Sequence, residues 1–131
     1  MPPRKVVGGG FPIGIKVALD GSYLYFVSGV NCFALKGSKC TGARRASIVS
    51  VLRISPATGA LSARPVSTAR TVPVPEALTL SPDGKNAYVT SEGAGALSQF
   101  AISPVTGKIS PLSPATVTAP SHASLGVAVT P

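Results

Sequence analysis

Tryptophan is absent from this 131-residue chain, histidine and methionine occur once each, and aromatic residues make up only 5%. Acidic residues are also scarce, 4 against 12 Lys+Arg, for a net charge of +8. A zinc site held by four protein donors needs more than Cys32, Cys40 and the lone His122. No metal and no cofactor is therefore expected. The shortage of aromatics removes the stacking platforms that single-stranded nucleic acids use. Lys36, Lys39, Arg44, Arg45 and Arg53 are spread over 18 positions and form no dense basic tract. Nucleic acid is thus not the expected partner, and the charge reads as a solvated basic surface that attracts small anions.

Other signatures are missing as well. Residues 109–131 carry no Asp, Glu, Lys or Arg, but Pro111, Pro114, Pro120 and Pro131 exclude a bilayer helix there, so no membrane insertion is expected. Arg4 and Lys5 precede only Val6 and Val7 before three glycines, a poor signal peptide. There is no G-x-S-x-G nucleophile elbow and no H-E-x-x-H motif. Gly8-Gly9-Gly10 reads better as a connection between structural units than as a phosphate cradle.

Hydrophobic residues make up 44% of the chain, too many for a disordered tail. Glycine and proline are abundant, 14 + 13 = 27. So many breakers argue against long helices and for short strands joined by tight turns.

The chain repeats itself. Ile54-Ser-Pro-Ala-Thr-Gly59 returns as Ile102-Ser-Pro-Val-Thr-Gly107, an offset of 48. Leu78-Thr-Leu-Ser-Pro82 returns as Val127-Ala-Val-Thr-Pro131, an offset of 49. A weaker copy, Ile15-Lys-Val-Ala-Leu-Asp20-Gly21 followed by Tyr25, precedes Leu78-Thr-Leu-Ser-Pro-Asp83-Gly84 and Tyr88 by 63. The excess, 63 − 48 = 15 residues, is an insertion in the first copy. Within a copy, residues 77–80 and 86–91 read as strands around a Ser-Pro-Asp-Gly turn. Residues 97–102 alternate between two faces, and a fourth strand begins near 108. Four short strands per 48 residues is the unit of a β-propeller blade.

The segment Leu78-Thr-Leu-Ser-Pro-Asp-Gly-Lys-Asn-Ala-Tyr-Val-Thr-Ser91, with Phe100-Ala-Ile-Ser-Pro-Val-Thr-Gly107 after it, resembles the lactonase-like propellers built on YVTN repeats, the 6-phosphogluconolactonase-like family. The first copy lacks the Ser-Pro before Asp20-Gly21. The resemblance implies an all-β chain of four-stranded antiparallel blades. Residues 1–13 would hold a stray outer strand and linker, 14–72 blade one, 73–119 blade two, and 120–131 the inner strand of a third. Because such rings close with six to eight blades, the ring would be incomplete, or completed by several copies associating through exposed blade faces. The implied function is a binding or scaffold module. The alternatives are a hydrolase of lactones or sugar-acid esters once a ring forms, and a ring-forming oligomeric binding protein.

Both cysteines fall in the insertion, about residues 31–46, with seven residues between them, Gly37 and Ser38 included. A Cys32–Cys40 disulfide is the preferred reading. It would stabilise by about 2 kcal/mol and would point to an extracellular or periplasmic setting. Propeller topology sets this loop on the same end as Glu76, Glu92 and His122. Glu76 and His122 precede consecutive inner strands, 46 residues apart. There they are a candidate base and acid, with Arg44 and Arg70 as candidate ligands for an anionic or carbonyl group in a small, carbohydrate-like molecule.

Overall fold

The computed structural model describes residues 11–29, 35–36, 39–40, 47–91 and 95–118. Among them there is no helix. The strands are β1 (Phe11–Val17), β2 (Tyr23–Gly29), β3 (Leu35–Lys36), β4 (Lys39–Cys40), β5 (Ile48–Arg53), β6 (Ser67–Arg70), β7 (Pro75–Leu80), β8 (Asn86–Ser91), β9 (Ala96–Ile102) and β10 (Ile109–Thr118). They form two antiparallel four-stranded sheets, β1-β2-β5-β6 and β7-β8-β9-β10, and a small hairpin, β3-β4, within the insertion.

Each sheet follows the same template. β1 pairs with β2 through Ile15↔Phe26, and β7 with β8 through Leu78↔Val89; all four positions are related by 63. β2 pairs with β5 through Phe26↔Ser50, and β8 with β9 through Val89↔Ser98, the second strand of each pair now related by 48. The insertion thus lengthens one connection and leaves the pairing untouched. Even the bridge Ile54↔Leu61 recurs as Ile102↔Ile109.

The turns explain why these strands end where they do. Asp83 accepts hydrogen bonds from the Lys85 amide at 3.0 Å and the Ser81 hydroxyl at 2.6 Å, while the Gly84 amide donates to the Ser81 carbonyl. Asp20 accepts from the amide and hydroxyl of Ser22, so the first copy makes the same turn without its Ser-Pro. These hydrogen bonds, first those from the Ser81 and Ser22 hydroxyls, hold both carboxyls below the ordinary aspartate value. Both aspartates are structural.

The sheets stack face to face on one core. Tyr23, Tyr25, Val27, Val49 and Val51 from the first meet Leu78, Ala87, Val89, Phe100, Ile102 and Ile109 from the second. β9 shows the expected alternation, with Ala96, Ser98, Phe100 and Ile102 buried and Leu97, Gln99 and Ala101 half-buried. β1 lies against β7 and β6 against β10, so the strands stack in order from one edge to the other. Polar bonds pin the stack at its turn end. The Tyr23 hydroxyl donates to the Val105 carbonyl at 3.0 Å, and the Ile109 amide donates to Ser67 Oγ at 3.1 Å. Ser113–Pro114 is cis.

Candidate functional site

One end of the stack carries the tight turns and the 54–66 connection. The other gathers the starts of β1 and β7, the 30–47 connection with its β3-β4 hairpin, and the connections 71–74 and 92–95. This second end is the candidate site, and backbone irregularity concentrates there. The pairing of β7 slips between Pro75 (opposite Ser91) and Ala77 (opposite Thr90), so Glu76 is the extra residue of a β-bulge. The same slip occurs in β1 between Pro12 and Gly14, leaving Ile13 as its counterpart. Bulges re-aim side chains and recur beside binding sites.

Val74, two residues before Glu76, has φ of 59°, the one positive value at a non-glycine residue among those described. A β-branched residue there stores about 1–3 kcal/mol of strain. The surroundings hold it in place. The Val72 amide donates to Ser98 Oγ at 3.1 Å, and Ser91 Oγ donates to the Val72 carbonyl at 3.1 Å. The Thr71 amide donates to the Ser47 carbonyl at 2.9 Å, tying this connection to the residue that ends the insertion. Packing is close as well, because a Cβ on Gly29 would lie 2.8 Å from Ile13 Cδ1 and from Pro75 Cδ.

The expected site residues fall as follows. Glu76 is half-buried at the start of the edge strand β7 and interacts with neighbours. Arg70 ends β6 opposite Ile48 and is exposed. It stands three strand spacings from β1, about 14 Å at the usual separation. Arg44, Glu92, His122 and Cys32 lie outside the described residues. The backbone of Cys40 lies in β4, opposite Leu35. Among the described residues no group of three His, Cys, Asp or Glu is placed to hold a metal, and no helix is long and apolar enough to cross a membrane. Reading the sequence missed the bulge. Its signal was the pair Pro12 and Pro75, which extends the 63-residue match to the slip itself.

No protein-family model and no curated protein matches this chain. Solved structures do. A candidate 6-phosphogluconolactonase from Bacteroides fragilis superposes with a TM-score of 0.68 at 18% identity, over 88% of this chain and 28% of its own. The periplasmic gluconolactonase of Pseudomonas aeruginosa gives 0.59 at 18% identity, over 83% and 30%. A candidate 6-phosphogluconolactonase from Bacteroides uniformis gives 0.59 at 18%, over 76% and 24%. The two sheets are blades of a β-propeller. The chain spans about a quarter of the length of these neighbours. β1 and β7 are edge strands of their sheets, and Glu76 lies at the bulged end of β7.

Proposed function

We propose that this chain is a binding segment of a lactonase-like propeller, taking a small anionic or carbohydrate-like ligand at its bulged end. The observation that carries the reading is Glu76. It is a carboxylate on a bulge of an edge strand, where the first blade has Ile13. A carboxylate there accepts hydrogen bonds from ligand hydroxyls, each charge-assisted bond contributing about 1.5–3 kcal/mol. Arg44 and the Arg70 guanidinium would draw in the anionic end. A Cys32–Cys40 disulfide would stiffen the insertion at the mouth and would suit an extracellular or periplasmic compartment.

The test is calorimetric titration with gluconate and with neutral glucose. Wild-type binding with at least about a tenfold loss in Glu76→Gln is expected. Equal affinity in both proteins rejects Glu76 as a ligand. The disulfide is checked by mass, a gain of about two daltons on reduction.

A second reading, hydrolysis of a lactone, draws on the printed names of the structural neighbours. Here Glu76 would take a proton from water and His122 would protonate the leaving oxygen. It needs a closed ring, for which copies of this chain would associate through blade faces that expose Ile15 and Val17. Light scattering separates the cases. A discrete oligomer that opens gluconolactone faster than buffer, and loses this in His122→Ala, supports the hydrolase. A monomer with unaltered lactone decay removes it.

A further inference from the structure

Two buried hydroxyls in the first blade have counterparts that are fully employed in the second. Ser91 and Ser98, diagonal neighbours on β8 and β9, grip both polar groups of one peptide residue, the carbonyl and the amide of Val72. Val72 stands three residues before Pro75, where the second blade begins. Subtracting the repeat offsets gives 91 − 63 = 28 and 98 − 48 = 50. Ser28 and Ser50 are diagonal neighbours in the identical register on β2 and β5. They are 3% and 0% exposed, and neither hydroxyl has a hydrogen-bond partner among the described residues.

Ser47 and Thr90 are also buried and without a partner among the described residues, but their counterparts, Gly95 and Val27, carry no hydroxyl. Only Ser28 and Ser50 repeat a working arrangement. Buried hydroxyls are costly unless bonded, so a pair kept at both positions calls for a partner of matching chemistry. That chemistry is one extended residue offering N–H to Ser50 and C=O to Ser28. The position that meets it three residues before Pro12 is Gly9, 72 − 63 = 9, in the glycine run that leads into β1.

We propose that Ser28 and Ser50 form a two-point backbone clamp whose occupant is the peptide of Gly9, so that this chain's own N-terminal segment docks on the first blade as residues 71–74 dock on the second. The covalent path favours this occupant over a second copy. Residue 9 is tethered two residues before β1, as Val72 is tethered three before β7, so its effective concentration at the clamp is high. Glycine is also the residue that lets a backbone come closest to the sheet.

Amide hydrogen exchange on the 131-residue chain tests the clamp. The Gly9 amide is expected to exchange about 100-fold more slowly than an open glycine, independent of protein concentration. Ser50→Ala should remove this protection and leave Val72 protected. Ser98→Ala should do the reverse. Open-chain exchange at Gly9 in the wild-type protein overturns the proposal and needs no variant to fold. So does protection that survives Ser50→Ala, and protection that rises with concentration assigns the clamp to a second copy instead.

Discussion

The first blade and the second share one backbone plan and divide its uses. Strands, slips and turn bonds recur at offsets of 63 before the insertion and 48 after it. The side chains at the bulged end do not recur. Where the second blade carries Glu76, Ala77 and Thr79, the first carries Ile13, Gly14 and Lys16. Where Ser91 and Ser98 are bonded, Ser28 and Ser50 are not. The difference teaches that the repeat encodes a frame held by turns and buried faces. The chemistry of the bulged end is set by a few positions that leave the frame unchanged.

The comparison breaks most severely in the shared core. Phe100 is 1% exposed between the blades, and Leu52 is its counterpart on the far face of the first. Phe100→Ala should cost about 3–5 kcal/mol in urea unfolding. A cost under about 1 kcal/mol would mean that the two sheets do not share one core.

The paired turn glycines sharpen it next. Gly59 and Gly107 both have φ of 73°, but a Cβ at 59 meets nothing within 4 Å, whereas one at 107 lies 2.6 Å from the Tyr23 ring. Gly59→Ala should cost about 1 kcal/mol, for conformation alone. Gly107→Ala adds overpacking for a total of about 2–4 kcal/mol. Equal melting shifts would show that the Val105–Gly107 turn does not bear on the first blade.

A smaller effect concerns alkali. Burial, then the nearby charges of Tyr23 and Asp20, push the Tyr25 phenol up to about 12 from the ordinary 10.0. Above pH 10 the unfolded chain loses this proton while the folded chain keeps it. Stability is therefore complete below the unfolded value and is lost as pH rises from 10 toward 12. Tyr25→Phe should flatten stability over that window, as measured by denaturant midpoints at stepped pH. The smallest expected change is at Val74. Val74→Gly relieves the φ of 59° but adds unfolded-state entropy, for a net gain of about 0.5–1 kcal/mol in thermal unfolding.

The frame was legible because its signals are local. Asp20-Gly21 and Asp83-Gly84 set their turns within four residues, and the alternation from 96 to 102 sets the faces of β9. The two slips were not read, because a bulge is a relation between strands and Glu76 looks like any strand residue in sequence. Arg70 shows the same limit from the other side. Its place at the bulged end follows from topology, but its distance from the inner strand depends on how many strands lie between. The unpaired state of Ser28 and Ser50 was invisible too, since a serine in a strand says nothing of its neighbours' hydroxyls.

The pairing of β2 with β5 keeps its register across a connection that the second blade makes 15 residues shorter. Loop closure grows only slowly with length, so the longer detour adds on the order of 1 kcal/mol. The blade therefore has a port. Sequence can be exchanged between Gly29 and Ser47 as cargo on a fixed chassis, and an engineer grafting a new recognition peptide would put it there.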